Sequence, residues 1–566
     1  MRRFLPRDFI VFSLYTLTGI LIFWQLFFTF FQQDEWAIFG NYMYWEKAGL
    51  SWWDRLFIYQ QGTHVAPLSN LFFYPQFKLF GMNFGYYAFS NILIHVINSY
   101  LLYALCGILT KRRWISILSG FVFLITSISY QAVTWSGTSA GTTGSVTFLL
   151  LSSIFLMHCL VNRSISKKLL LVSSFCWIIS VLFKETSIFF ILAVPLLWYS
   201  YSFNKKLSHL FKTLLFFIFA FSLYTIFRLV LILFSGDSSG QISSIVEQPA
   251  IQVLLLRTFF NPARFIAQSI VPVEFLLNSA YSFVPLAYPY FVPGGATDPY
   301  IAETIAVDTL SLLITSVIII VNLSLYYFFK KKKDNISKLP FLLLLFISLS
   351  ALPFMLIPGR GGYMYLIDGR HLYLTSIFSS ILISVFVLFA YEISKKSKSL
   401  MIFSICIMIL YFFYHPFKIH EDLKKLSEWS DIRKTILTDI MEAYPSLPKK
   451  VIIYAESDTA YFGLSPEEKI LPFQSGLGQT LLVWYNEHGE NFPSCFFKGQ
   501  FLYVLQSQGY RQCEGRGFGY FRKAEDLKKS IKENNLRPEN VVAFSYISSE
   551  NSLKNITQKT REKLLQ

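Results

Sequence analysis

Charged side chains beside long apolar runs are where this sequence is best equipped for chemistry, because a charge next to hydrocarbon is costly to keep. Four short segments have that character. The first is Gln33-Asp34-Glu35-Trp36, directly after an apolar run. Adjacent carboxylates in a helix or strand point in different directions, so one can act as a general base while the other supports it. An ordinary solvated helix end reads the same way, and the neighbours Trp36, Tyr42, Tyr44, Trp45, Trp52 and Trp53 also suit an interfacial aromatic belt. The second is His64-Val65-Ala66-Pro67-Leu68, followed by Asn91, His95 and Asn98. Spacings of four and three put the last three on one helix stripe, which suits either a cavity wall or interhelical hydrogen bonds. Two histidines without the helical Glu of a zinc pair do not make a metal site. The third is Lys184-Glu185, a two-residue turn between apolar runs. Its bland reading is an ion pair capping two helices. The fourth is Asp368-Gly369-Arg370-His371-Leu372-Tyr373. A guanidinium there matches phosphate geometry, and a snorkelling arginine is the alternative.

The elements that must position these residues are membrane helices. The chain has 566 residues, 54% hydrophobic and only 15% charged, against about a quarter charged in soluble domains. Apolar runs recur near 9–31, 86–109, 114–130, 140–160, 169–183, 186–203, 210–235, 305–329, 339–357, 372–391 and 399–414. Runs of this kind cross a bilayer as helices. The fold class expected is therefore a polytopic α-helical membrane protein of about eleven spans.

The formal net charge is +16. The excess lies in short clusters: Arg2/Arg3/Arg7, Lys111/Arg112/Arg113, Arg163/Lys167/Lys168, Lys205/Lys206/Lys212, Lys330 to Lys333, and Lys395/Lys396/Lys398. Each follows an even number of spans or sits at the N-terminus, which is the positive-inside pattern and not a nucleic-acid surface. The N-terminus is thus expected in the cytoplasm, with the first helix retained rather than cleaved as a signal. By parity, residues 32–85, 236–304 and the tail face outward. The plasma (inner) membrane is the expected location, no organelle signal being evident.

The tail, residues 415–566, reads as a small α/β soluble domain. Glu428 to Ala443, Glu525 to Asn534 and Ser552 to Lys563 read as helices, and Val451 to Tyr454, Leu481 to Tyr485 and Phe501 to Leu505 as strands. Gly476, Gly478, Gly515, Gly517 and Gly519 read as turns, not as a phosphate-binding loop. Cys495 and Cys513 are the tail's two cysteines, and an outward, oxidised domain would join them as a disulfide. Two buried thiols are the alternative. Cys106, Cys159, Cys176 and Cys406 fall within spans as small apolar residues.

Taken in order, the segments carry a resemblance. After the acidic pair come HVAPLSNLFFYPQFKLFGMNFGYYAFSNILIHVINSYLLYAL, YQAVTWSGTSAGTTGSVTFLLLSSIFL, FKETSIFFILAVPLL and GRHLYLTS. This order over about residues 30–380 resembles the GT-C superfamily of membrane glycosyltransferases, in particular its protein O-mannosyltransferase-like branch. The sequence departs from that pattern at Gly369, where Glu is usual, at His371, where Tyr is usual, and in lacking tetratricopeptide repeats in the tail. The resemblance implies transfer of a sugar from a polyprenyl-phosphate carrier to an acceptor, by a single inverting displacement at the outer face. It implies Asp34 as base with Glu35 in support, and Arg370 and Lys184 as phosphate-binding cations, with Arg257 and Arg264 as further candidates. It implies a pocket lined by His64, Asn91, His95, Glu185, His371 and Tyr373. Sugar, acceptor and any divalent metal are left open. The rival readings are a lipid-linked sugar flippase, an outward-facing glycan polymerase or ligase, and a membrane anchor that presents the tail. A transporter usually gathers its polar groups near the midplane, whereas here they gather at one face.

Overall fold

The structure is a computed structural model that describes residues 6–32, 34–55, 66–162, 166–203, 205–234, 251–280, 282, 299–355, 367–395, 397–459, 471–473 and 476–566. His64 and parts of both long outer loops lie outside them. Each of the eleven apolar runs contains a helix among its described residues. In chain order the membrane part contains α1 (Pro6–Phe23), α2 (Asp34–Lys47), α3 (Pro67–Phe80), α4 (Phe84–Thr110), α5 (Arg113–Ile125), α6 (Ser136–Val161), α7 (Lys167–Phe183), α8 (Phe190–Tyr201), α9 (Leu207–Phe234), α10 (Ile251–Gln268), α11 (Pro299–Lys331), α12 (Leu339–Ser350), α13 (Gly369–Ser394) and α14 (Lys398–Ala443). Among the described residues, eight helices are long and apolar enough to cross a membrane. The other three runs form α5, α7 and the stretch Glu185–Tyr201 that includes α8. The run expected to reach residue 130 ends at Ile125, where Thr126 turns to an extended backbone.

Three helices, α2, α3 and α10, occupy the loops between spans. They are short and aromatic or amphipathic, and the sequence pattern had not separated them from loop. Small residues on α6 allow close packing: a Cβ at Gly144 would lie 2.8 Å from the Phe183 ring. Small residues bring helices together where water supplies no driving force.

The soluble part adds β1 (Lys450–Ser457), α15 (Leu477–Glu487), α16 (Gly499–Ser507), β2 (Gly509–Cys513), β3 (Arg516–Phe521), α17 (Ala524–Glu533), β4 (Val541–Ile547), β5 (Ser552–Asn555) and α18 (Thr557–Leu565). The sheet order is β2-β3-β1-β4-β5. Central β1 pairs parallel with β3 and β4, and both edge strands are antiparallel. Val451, Ile452 and Ile453 are fully buried, as a strand covered on both faces requires.

Several tail expectations are corrected. Leu481 to Tyr485 and Phe501 to Leu505 are parts of α15 and α16, not strands. Short apolar runs cannot be told apart by periodicity when every side of the element is covered, and α15 is buried from Leu477 to Tyr485. Residues 552–555 form a strand before α18 starts at Thr557. Gly515 does sit in a turn, at φ 77° in the two-residue β2–β3 hairpin. Gly517 and Gly519 are inside β3, where the Tyr510 side chain of the neighbouring strand crosses over them; a Cβ at Gly519 would lie 2.8 Å from that ring. Gly478 is helical. Glu428 to Ala443 is the end of α14, one helix of 46 residues that runs unbroken past the composition change at His415.

Candidate active site

Helix α2 opens with the acidic pair. Successive helical side chains diverge by about 100°, and the two carboxylates part accordingly. Glu35 is fully buried and accepts the Gly137 N–H at 3.0 Å. Gly137 stands in the first turn of α6, where unpaired N–H groups favour an anion. Asp34 instead faces a cavity of about 710 Å³. Burial in the cavity wall raises its carboxyl above the ordinary range, and the Arg370 charge opposes that rise.

Arg370 enters from the first turn of α13. Its Nη1 lies 3.7 Å from Asp34 Oδ2, and its Nη2 donates to Asp368 Oδ2 at 3.2 Å. The guanidinium is stacked over the Trp135 ring at 4.1 Å, a contact that holds Arg better than Lys. Gly369 lets this helix start close to the bundle, since a Cβ there would be 2.6 Å from the Ile128 carbonyl oxygen. That close approach is a physical reason for glycine at this position.

Lys184 follows the last residue of α7, in extended backbone between two helices. Its Nζ donates to Thr142 Oγ1 at 2.7 Å. Burial and then the nearby Arg370 charge push its ammonium down to about 7, with Asp368 opposing. Glu185 is held by Arg228 Nη1 at 3.0 Å and by the Tyr224 hydroxyl at 3.4 Å. His371 packs edge-on to Phe354 at 5.0 Å.

Asp34, Lys184, Glu185, Arg370 and His371 therefore line one cavity. The cavity also contains Arg228, carried by the apolar helix α9 and not among the site residues expected from the sequence. A lone arginine in an apolar run was the available signal. Trp135 and Thr142, which hold the two cations, carried no such signal. Phe183 separates this cavity from an apolar groove of about 410 Å³ between α3, α4, α6 and α7, which it also lines.

Other candidates lie elsewhere. Asn91, His95 and Tyr373 do not line the cavity. Asn91 donates to Val133 O and Ser136 Oγ, each at 3.1 Å. The His95 ring is bonded to the Tyr373 hydroxyl at 2.8 Å and to Leu124 O at 3.1 Å, and Asn98 joins the same hydroxyl at 3.1 Å. These are bonds between helices, the alternative already open for this stripe. Arg264 is buried in an ion pair with Asp308, Nη2 to Oδ2 2.8 Å, which ties α10 to α11. Arg257 is buried two turns earlier on α10, also outside the cavity wall. Among the described residues, three or more potential metal ligands converge only at Cys495, Cys513 and Glu514. The two sulfurs there are joined as a disulfide, so this is not a cation site.

The sequence matches no protein-family profile and no characterised protein. Two solved structures are similar to this chain at low scores. One is the archaeal oligosaccharyltransferase AglB from Archaeoglobus fulgidus, in complex with an inhibitory peptide and a dolichol-phosphate: 12% identity, TM-score 0.39, 80% of this chain covered. This chain spans 62% of the AglB chain. The other is ArnT from Cupriavidus metallidurans bound to undecaprenyl phosphate: 9% identity, TM-score 0.39, covering 95% of this chain and 93% of that one. At these scores neither likeness carries a functional assignment.

Proposed function

We propose that this chain is a membrane glycosyltransferase that moves a sugar from a polyprenyl-phosphate carrier to an acceptor hydroxyl at the outer membrane face. The observation that carries the reading is the convergence of two carboxylates, Asp34 and the Arg228-paired Glu185, with three cations, Lys184, Arg228 and Arg370, in one cavity that abuts an apolar groove. A donor with an anionic head and a long apolar chain fits that pairing. Lys184 and Arg370 lie close enough for each charge to feel the other, an arrangement that favours an anion between them.

In the proposed step the acceptor oxygen bonds to the anomeric carbon and gives its proton to Asp34. The bond from that carbon to the phosphate oxygen breaks, and the electron pair stays on the phosphate. Preorganised cations stabilise the charge that grows there. One displacement inverts the anomeric centre. Glu35, locked on the α6 N-terminus, orients the helix turn and does not touch substrate. The segment order of residues 30–380 supports a GT-C-type donor of the protein O-mannosyltransferase-like kind.

The test uses purified protein in nanodiscs with radiolabelled polyprenyl-phosphate sugars and a mixed acceptor panel. Asp34→Asn is expected to insert and fold normally yet lose transfer by at least about a hundredfold, the range for removing a general base. Normal transfer by that variant would remove Asp34 from the mechanism. No donor consumption by folded wild type would remove the proposed activity itself.

A further inference from the structure

Helix α2 has two working faces. Asp34, Ile38, Asn41 and Trp45 recur at helical spacing and line the cavity. Two residues later in phase, about 200° around the axis, stand Trp36, Gly40, Met43 and Lys47. Every one of these four meets the C-terminal domain. Trp36 lies 6.4 Å from Trp484, ring centre to ring centre. Gly40 admits Leu502 so closely that a Cβ would sit 2.8 Å from Leu502 Cδ1 and 3.5 Å from Val483 Cγ2. The Asn486 amide donates to the Met43 sulfur at 3.4 Å. Lys47 Nζ donates to Asn491 Oδ1 at 2.8 Å and lies 5.7 Å from the centre of the Phe497 ring.

The Cys495–Cys513 disulfide reinforces this second face. It ties the segment between Asn491 and Phe497, which holds Lys47, to the edge strand β2. Arg511 on that strand also donates to the Cys495 carbonyl at 3.1 Å. Asp34 is carried by α2, whereas Arg370 is carried by α13, and no covalent link close in sequence sets their separation. A roll of α2 by a fraction of a turn would change it.

Building on the reading of Asp34 as the base, we infer that the C-terminal domain is a brace for α2, and that the Gly40–Leu502 contact sets the angle at which Asp34 meets the cavity. Gly40 and Leu502 are positioning residues. The cations that hold the donor phosphate sit on α7, α9 and α13 or beside them, so loss of the brace disturbs the chemical step and not donor binding.

The experiment compares wild type, Gly40→Val, Leu502→Ala and the double variant as full-length protein in nanodiscs, with a radiolabelled polyprenyl-phosphate sugar as donor. Gly40→Val is expected to lower kcat by about 10- to 100-fold, the scale of an ångström-sized misplacement, with donor KM changed less than about threefold. The double variant, in which the smaller Leu502 replacement makes room for the valine, is expected to recover most of that loss. A coupled recovery of this kind is what a shared contact produces. No recovery, or a loss confined to KM, overturns the brace. If Gly40→Val fails to fold, Leu502→Ala tests the same contact from the domain side: a several-fold fall in kcat supports the brace and an unchanged kcat overturns it. If wild type consumes no donor, the proposed activity has failed, and the brace is then judged by distance. Spin labels on Ala48→Cys and Tyr86→Cys should report a shifted α2 in Gly40→Val that returns in the double variant, and an unmoved α2 overturns the inference.

Discussion

Lys184 holds its charge in the least favourable place in the cavity, enclosed and beside another cation. Its ammonium is pushed down to about 7 by burial and by Arg370, while the Asp34 carboxyl is raised by burial. The two shifts predict a bell-shaped pH profile of kcat/KM, the parameter that reports the free enzyme. Activity rises with pH as Asp34 loses its proton and becomes a base. It falls as pH passes about 7 and Lys184 loses its charge. Lys184→Arg keeps a cation at every pH in the range, so it is expected to flatten the alkaline limb; a limb that stays in place would show that another group titrates there. At this scale the sequence was legible where a charge stood beside hydrocarbon, as at Asp34, Lys184, Glu185 and Arg370. It was ambiguous at Asn91, His95 and Tyr373, because a polar stripe on a membrane helix looks the same whether it faces a cavity or a neighbouring helix. Only the bonds to Leu124, Val133 and Ser136 decide between them.

At the scale of elements, α14 sets the relation between bundle and domain. Its 46 residues rise about 69 Å without a break, so its last turns inherit the phase of its first. One residue inserted between residues 424 and 428 would rotate everything beyond it by about 100° and lift it about 1.5 Å. Transfer is expected to fall at least about tenfold as α2 loses its fit to α15 and α16, while membrane insertion is unchanged. An insertion variant with full activity would mean that the domain finds α2 without guidance from α14. The helices of the bundle were visible as eleven apolar runs because lipid demands that each be apolar along its length. In the tail, β1 and α17 were visible at Val451 to Tyr454 and Glu525 to Asn534, whereas β3, rich in glycine for the sake of Tyr510, and α15, buried on every side, were not. Helix α2 was hidden for a related reason: buried on more than one face, it shows no single polar stripe.

For the molecule as a whole, the domain, the bundle and the cavity form one packed body, with Lys47 reaching Asn491 across 444 positions of sequence. The disulfide closes a loop of 18 residues within that body, a length for which chain entropy predicts about 3 kcal/mol of stabilisation. Replacing both Cys495 and Cys513 by Ser is expected to open the domain to proteolysis at lower temperature and to reduce transfer in parallel. Protection equal to wild type would show that the domain does not depend on the link. The overall class was plain from composition, since an apolar chain with a polar tail has few folds open to it. What composition did not convey is that the tail packs against the helix that bears the acidic pair.

That packing has a consequence in time. The acidic pair is synthesised well before Asn486, Asn491 and Leu502, which follow it by more than 440 positions. Contacts of such wide sequence separation close late, because the intervening chain must first be ordered. A partly made chain thus holds Asp34, the cations and the cavity wall before α15 and α16 exist to pack against α2, and α2 reaches its final setting only after those two helices have been made.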